Sequence, residues 1–260
     1  MNSRDSETPQ FKVKKLFGEK SKDYATSSLL VDKRNLEMVI KMARITEGER
    51  ILDVATGTGF MAGALAGAGA EVVATDFTRE MLVEARSSLE ERSNVYYALA
   101  DADNLPFAGE SFDAVTCRVS VHHFVNPYKA VAEMTRVCGD GGRVVIMDVI
   151  SSEDDAKSEL QNRMGKMRDP SEVRQWKLSE LERMLTSAGM KIEQVERWAH
   201  IMAFEEWIRL GGTDESTAIE LRQLMMDSIN MDRTGFSPEL REGELYFTWT
   251  TGIIVAGKRG

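Results

Sequence analysis

Apolar residues in this chain fall into short continuous runs separated by stretches with helical spacing. The first five runs follow one another at intervals close to one strand–helix–strand unit. Such alternation is typical of a doubly wound α/β fold, in which helices cover both faces of a parallel sheet. Seven runs are candidate strands, and they begin near Ile51, Val72, Val95, Phe112, Val144, Ile192 and Tyr246.

Local signals predict where several helices begin. Residues 21–44 are predicted to form an N-terminal helix, after a polar, Lys-rich arm over residues 1–20 that we expect to be flexible. Asn126 and Pro127 have the pattern of an N-cap followed by a first-turn proline. Ser179–Glu182 has the pattern of a capping box, which predicts another helix start.

Two long segments, 151–178 and 200–244, interrupt the alternation and are rich in methionine. Each follows the carboxyl end of a candidate strand, where ligands bind in open α/β sheets. We therefore predict helical insertions that cap a substrate, with methionines either lining an apolar pocket or packing a core. The expected organisation is a single domain over 1–260 with a ligand-binding core over 45–150.

Composition narrows the class of protein. The 260 residues include 33 basic and 42 acidic side chains, for a net charge of −9. This balance argues against a general nucleic-acid-binding protein and against docking on anionic lipid. No apolar run is long enough to span a membrane, and the polar opening has no signal-peptide core. Two cysteines indicate neither a disulfide framework nor a metal site, so we expect a cytoplasmic protein without a metal.

Residues 51–65, ILDVATGTGFMAGAL, combine an apolar strand, a glycine-rich turn and a helix. Gly57 and Gly59 permit a tight turn and a close approach of the backbone to a ligand. The helix start beyond them offers N–H groups to a polar or anionic ligand. The same spacing satisfies the dinucleotide fingerprint, so this segment alone fits both nicotinamide and adenosyl cofactors.

Two carboxylates accompany this turn. Asp53 lies inside an apolar strand, where its burial is costly unless it meets a donor or a cation. An ammonium or sulfonium group on a ligand explains it, and the alternative is an aspartate that anchors the N–H groups of its own loop. Asp76 closes the next strand, where a carboxylate can accept two ribose hydroxyls or, alternatively, cap a helix.

The motif ALADADNLPF at 98–107 distinguishes between these cofactors. Together with SFDAVTCRVSVHHF at 111–124, PYKAVAEMTRVCGDGGRVVIMD at 127–148 and RDPSEVR at 168–174, it resembles the class I S-adenosylmethionine-dependent methyltransferases. The nearest group is the small-molecule enzymes similar to the ubiquinone and menaquinone C-methyltransferases. The resemblance covers most of residues 14–200.

The resemblance implies a Rossmann-like, mostly parallel seven-stranded sheet whose last strand is antiparallel, with S-adenosylmethionine as cofactor and a small molecule as acceptor. Two departures are minor: Ala55 stands where the family often has glycine, and the family's proline before the fifth strand is missing. The 200–244 segment differs more, so methylation of a quinone ring is not carried over.

Roles for individual residues also follow from the resemblance. Asp53 would hold the cofactor's amino group, Asp76 the ribose hydroxyls and Asp101 the adenine amino group. For Met81 and Tyr24 two explanations are equally good: packing in the protein core and contact with the cofactor. The complete implied cofactor set is Tyr24, Asp53, Ala55, Thr56, Gly57, Gly59, Asp76, Phe77, Met81, Asp101, Ala102 and Arg118.

His123 is the candidate catalytic base, because it follows the fourth strand at the ligand edge and histidine titrates near neutral pH. The histidine pair is widespread in the family among enzymes with different substrates, which favours a positioning role instead. Arg168 and Arg174 are candidates to pair with a carboxylate or phosphate on the substrate. The alternative for them is a charged helix start capped by Asp169.

Two other functions remain as alternatives. An NAD(P)-dependent oxidoreductase would use the same turn, but it would leave Asp53 without a cation, and no tyrosine is followed four residues later by lysine. A non-catalytic adenosyl-binding protein would keep all three aspartates, because binding does not establish turnover.

Overall fold

The computed structural model describes Gly18 and residues 33–259. Tyr24, the start of the predicted N-terminal helix and the arm apart from Gly18 lie outside these residues. Eight helices are present in the described chain: α1 Lys33–Met42, α2 Phe60–Gly67, α3 Arg79–Ser88, α4 Pro127–Val137, α5 Asp155–Arg168, α6 Leu178–Ser187, α7 Phe204–Gly211 and α8 Glu215–Met226.

A central sheet of nine strands has the order β3-β2-β1-β4-β5-β9-β7, with β6 paired to β5 and β8 to β9. Strands β1 to β5 are parallel, and β9 runs antiparallel to both of its neighbours in that order, β5 and β7. The strand bounds are β1 Arg50–Val54, β2 Glu71–Asp76, β3 Val95–Leu99, β4 Phe112–Arg118, β5 Cys138–Ser151, β6 Trp176–Lys177, β7 Lys191–Ala203, β8 Glu239–Arg241 and β9 Glu244–Gly257.

The doubly wound, mostly parallel architecture predicted from the sequence is therefore confirmed. Adjacent residues on β1 explain the two helical layers, because successive side chains of a strand point to opposite faces. Ile51 packs with the apolar side chains of α1 and α2, and Leu52 packs with those of α4 and α6. Both residues are completely buried.

The predicted strand count of seven is wrong, since the described chain contains nine. The additional strands, β6 and β8, have two and three residues, too few for an alternating pattern to stand out in the sequence. Strand β5 also starts at Cys138, before the predicted Val144. Its first residues, CGDGG, form an irregular stretch in which the register against β4 shifts.

The second insertion is shorter than predicted. Strand β7 pairs with β9 from Lys191 opposite Gly257 to Ala203 opposite Tyr246. Residues 204–243 lie between these two strands. They form α7, α8 and the short strand β8.

A separate apolar cluster joins the two insertions. The rings of Trp207, Phe236 and Phe247 meet edge to face with centroids 5.2 to 6.1 Å apart. Met164 of α5 and Met225 of α8 are fully buried in the same cluster. Core packing therefore accounts for these methionines. We call the region formed by α5, α7, α8 and this cluster the cap.

One predicted helix start is correct and another is wrong. Asn126 is the N-cap of α4 and Pro127 its first residue, as predicted. Helix α6, however, begins at Leu178, one residue before Ser179. The N-cap is Lys177, whose N–H donates to Glu180 Oε2 at 3.1 Å, so the glutamate of the cap is Glu180 rather than Glu182. The N–H and hydroxyl of Ser179 donate to Glu153 at 3.1 and 2.6 Å.

Within residues 33–259, no helix has both the length and the apolar character that a bilayer crossing requires.

Candidate active site

A cleft of about 740 Å³ opens at the carboxyl ends of β1, β2, β3 and β4. The wall consists of the loops that follow these strands. It brings together the predicted residues Ala55, Gly57, Asp76, Phe77, Met81, Asp101, Ala102 and His123.

The two glycines of the turn have different structural roles. Gly57 has a φ of +56°, and a Cβ atom placed there would meet no atom of the described residues within 4 Å. The space beside it belongs to the cleft. At Gly59, where φ is +90°, a Cβ atom would lie 3.0 Å from Leu89 Cδ1 and 3.1 Å from Ala85 Cβ. Gly59 therefore makes room for α3.

Asp76 connects the glycine turn to the start of α3. Its Oδ2 accepts from the Gly57 N–H at 3.0 Å, and its Oδ1 accepts from the Thr78 N–H at 2.8 Å. Burial raises the pKa of Asp76 to about 6, although the two backbone hydrogen bonds favour its charged form. A carboxylate has about four lone-pair directions, so acceptor capacity remains for a ligand in the cleft.

Asp53 lies beneath the turn, not in the cleft wall. Its two oxygens accept from the hydroxyls of Thr56 at 2.6 Å and Thr116 at 2.7 Å. Burial raises its pKa to about 6, while the two threonines and nearby Arg118 favour its charged form. Asp53 thus anchors its own loop, through hydroxyls rather than the N–H groups that the sequence suggested.

Thr56 and Arg118 belong to the same buried layer. The Thr56 N–H donates to the Thr75 carbonyl at 2.8 Å, which ties the turn to β2. Arg118 is the last residue of β4 and is 9% exposed. Neither side chain is part of the cleft wall.

Asp101 stands at an exposed position of the cleft wall. Its Oδ1 accepts from the N–H of Asp103 at 3.0 Å, and it forms a short β-bridge with Asn104. Asp103 also lines the cleft and accepts from the side-chain amide of Asn126 at 2.9 Å. Sequence reasoning missed Asp103, although its two-residue spacing from Asp101 was a usable signal.

His123 faces the same cleft with a defined tautomer. Its Nδ1 lies 3.0 Å from the Ser171 carbonyl oxygen. Because a carbonyl only accepts, we assign the proton to Nδ1 and the lone pair to Nε2. Burial, and then the neighbouring His122, lower the pKa of His123 to about 3. The ring is therefore neutral at physiological pH.

His122 forms a buried pair that the sequence did not predict. Its Nδ1 lies 2.6 Å from Asp148 Oδ1, and its backbone N–H donates to Asp148 Oδ2 at 3.0 Å. Burial disfavours the charged imidazole, but Asp148 more than offsets this and raises the pKa of His122. The usable signal was Asp148 inside the apolar run of β5, the same kind of signal that singled out Asp53.

The segment after α5 closes the site on the side of the histidines. The backbone N–H groups of Val173 and Arg174 donate to the His122 carbonyl at 2.9 and 3.0 Å. Asp169 accepts from the N–H and hydroxyl of Ser171 at 2.9 and 2.6 Å, which fixes the carbonyl that holds His123.

The expectations for Arg168 and Asp169 were wrong. Asp169 follows the end of α5 and begins no new helix. Arg168 is buried, lies 3.3 Å from Asp169, and sits 5.5 Å from the ring centroids of both Trp207 and Trp249. It therefore joins α5 to α7 and β9, and neither binding of a substrate anion nor a solvated helix start describes it.

Known proteins share both this fold and its motifs. The uncharacterised methyltransferase YcgJ of Bacillus subtilis (strain 168) is 33% identical over 199 residues, which is 76% of this chain and 79% of that protein. This chain belongs to the class I S-adenosylmethionine-dependent methyltransferases. A crystal structure of a proposed methyltransferase from Bacillus halodurans C-125 has a TM-score of 0.83 at 32% identity, over 87% of this chain and 100% of that one.

The family profile described as a methyltransferase domain matches residues 52–146 of this methyltransferase. The demethylmenaquinone methyltransferase of Clavibacter sepedonicus is 39% identical over 140 residues, covering 52% of this chain and 57% of that enzyme. The profile thus includes the cleft and the histidine pair and ends before Asp148, Ser171 and the cap. Family membership removes the oxidoreductase alternative.

Proposed function

We propose that this enzyme transfers the methyl group of S-adenosylmethionine to a small-molecule acceptor held beside His123. The supporting observation is the chemistry of the cleft wall. Carboxylates line it after β2 and β3, and a neutral histidine lines it after β4. The carboxylates can accept hydrogen bonds from the hydroxyl and amino groups of an adenosyl cofactor, and a neutral histidine can accept the proton that a nucleophile loses.

S-Adenosylmethionine fits the residues present. The remaining lone pairs of Asp76 would accept the ribose hydroxyls, and Asp101 would accept the adenine amino group with Ala102 against the ring. Phe77 and Met81 offer apolar side chains for the adenine faces. Bound there, the cofactor supplies an electrophilic methyl group on a sulfonium sulfur.

The other implied cofactor residues are proposed to act through the turn. Asp53, Thr56 and Arg118 lie outside the cleft wall and hold the chain between β1 and β2 in place, and Gly59 lets α3 approach that turn. Ala55 and Gly57 are then the backbone positions that meet the cofactor. A role for Tyr24 at the methionyl end stays a prediction.

His123 is proposed to accept the proton of the acceptor at Nε2. Its low pKa makes it a weak base, so we expect proton transfer to occur late, after the new bond to carbon has made that proton more acidic. Before that point, the same lone pair orients the acceptor by accepting a hydrogen bond. Ser171 fixes the ring through Nδ1.

The acceptor is proposed to be a small molecule enclosed with the help of the cap, which limits access of water to the reacting atoms. The relatives named demethylmenaquinone methyltransferases support a small-molecule substrate. The net charge of −9 supports a function away from nucleic acid and anionic membrane surfaces. A cytoplasmic location stays a prediction. We propose no quinone, because the cap lies outside the matched family profile.

Turnover of S-adenosylmethionine with a panel of phenols, carboxylic acids, amines and thiols tests this proposal. We expect at least one acceptor class to accelerate formation of S-adenosylhomocysteine. Asp76→Asn should abolish the acceleration, and Asp140→Asn, an exposed carboxylate on β5, should preserve it. Binding of the cofactor without turnover on any acceptor class would contradict the proposal.

A further inference from the structure

A second cavity opens beside the cofactor cleft. It is a groove of about 960 Å³ between the start of α4, the end of α5 and the segment 173–176. Val125 belongs to the walls of both the groove and the cleft. A ligand in the groove is therefore adjacent to a cofactor in the cleft, and this inference rests on the proposed function.

The two cavities have opposite charge. Among the described residues, the wall of the cleft contains three aspartates and neither lysine nor arginine. The described wall of the groove contains Lys129, Lys166 and Arg174 and no carboxylate. In a chain of net charge −9, this groove is a local reversal of sign. Separation of charge at this scale suits a cationic cofactor next to an anionic partner.

Two of the three cations form no ion pair with another described residue, although Lys129 also acts electrostatically on Asp103 and Glu133. Arg174 is paired with Glu180 at 2.8 and 3.0 Å and lies 4.4 Å over the Trp176 ring, so it stiffens the wall and its charge is balanced. Lys129 and Lys166 have no carboxylate within 4.0 Å among residues 33–259. Their ammonium groups are the source of positive potential in the groove.

Helix α4 adds to this potential. Its first residues line the groove. Its N-cap Asn126 makes no side-chain hydrogen bond to the helix, and the Asn126 amide nitrogen donates to Asp103. The positive end of this eleven-residue helix is therefore left without a side-chain cap. Uncapped helix starts favour anions, here in addition to two lysines.

We infer that this groove binds an anionic group, a carboxylate or a phosphate, carried by the methyl acceptor. Lys129 and Lys166 supply the charge, and the rings of Tyr128 and Trp176 supply flat surface for an aromatic or apolar body. The acceptor class is then an aromatic or apolar acid or phosphate ester. Its nucleophilic atom reaches past Val125 to His123.

Binding of small probes tests this inference. Protein with and without S-adenosylhomocysteine is titrated with phenyl phosphate, benzoate and the neutral benzyl alcohol. We expect both anions to bind at least about tenfold more tightly than the alcohol, the difference made by charge-assisted contacts. Whichever anion binds more tightly indicates whether the acceptor is a phosphate ester or an acid.

The matched variants separate the groove from general electrostatics. The double variant Lys129→Gln/Lys166→Gln should weaken binding of the preferred anion by about tenfold or more and keep the affinity for S-adenosylhomocysteine. Lys41→Gln/Lys191→Gln removes the same charge at exposed positions elsewhere and should leave both affinities unchanged. Equal losses in the two double variants, or equal affinity for alcohol and anions, would overturn the inference.

Failure of the proposed function is a different result. If S-adenosylhomocysteine does not bind the wild-type protein, the cleft is not a cofactor site, whatever the anions do. If it binds and the anions show no preference for the groove, only the present inference fails.

Discussion

His122 Nδ1 lies 2.6 Å from the Asp148 carboxylate, and both side chains are buried. Asp148 also accepts the backbone N–H of His122, so one carboxylate fixes the main chain and the ring of the same residue. The His123 ring lies 4.0 Å from that of His122. Charge on His122 therefore helps to keep His123 neutral, which is the form able to accept a proton.

Asp148→Asn should destabilise the fold in a pH-dependent way. Breaking a buried ion pair costs about 3 kcal/mol of unfolding free energy. Because Asp148 raises the pKa of His122 above 6.5, this stabilisation is complete below pH 6.5 and is lost as pH rises through the folded pKa. Urea unfolding from pH 5 to 9 should show a gap between wild type and variant that narrows at high pH. Asp140→Asn is the control, and a gap that grows with pH would contradict this assignment.

His123→Gln should slow turnover and leave cofactor binding intact. Loss of a weak general base is expected to lower kcat by about 10- to 100-fold, at the low end of the usual range. Because its pKa is about 3, protonation of His123 removes the base only near and below that pH. The kcat profile of the wild type should therefore lack an ionisation from His123 between pH 5 and 8. Unchanged kcat in the variant would leave His123 a purely structural role.

Asp76→Asn and Asp53→Asn should differ in their effects. Asp76 lines the cleft, so its loss should weaken S-adenosylhomocysteine binding by about 10- to 100-fold, the cost of one charged hydrogen-bond partner. Among the described residues, the Asp53 carboxylate accepts hydrogen bonds from two threonine hydroxyls and lies outside the cleft wall. Asp53→Asn should therefore bind S-adenosylhomocysteine within about threefold of wild type. Calorimetric titration of both variants decides between them. A larger loss for Asp53→Asn would place that carboxylate against the cofactor.

The two glycines of the turn provide a second matched pair. Gly59→Ala forces a Cβ atom against α3 at a left-handed φ, and should lower the unfolding free energy by about 1–3 kcal/mol. In Gly57→Ala the added methyl group meets no described residue but projects into the cleft, so it should reduce cofactor affinity. The left-handed φ should add about 1 kcal/mol of backbone strain. Thermal unfolding and S-adenosylhomocysteine titration measure the two effects. Similar results for both variants would contradict their different roles.

Much of the cleft was predictable because its residues follow parallel strands that end at one edge of the sheet. Asp76 needed only the order of strands and its position at a strand end, and Asp101 followed from the resemblance to the methyltransferase family. The different roles of Gly57 and Gly59 were not predictable. They depend on how Leu89, the C-cap residue of α3, packs against the turn.

The partners of the histidines were harder to predict for a related reason. Asp148 lies 26 positions from His122, and Ser171 lies 48 positions from His123. Contacts at such separations depend on how β5 and the end of α5 pack around the histidine turn. The burial of Arg168 between two tryptophans likewise requires the cap to be in place.

Calorimetric titration of the wild-type protein with S-adenosylmethionine, S-adenosylhomocysteine, NADH and NADPH tests the central claim most directly. We expect both adenosyl ligands to bind with micromolar or tighter affinity and neither nicotinamide to bind. Binding of a nicotinamide alone would contradict the assignment and make Asp76 the ribose anchor of a different cofactor.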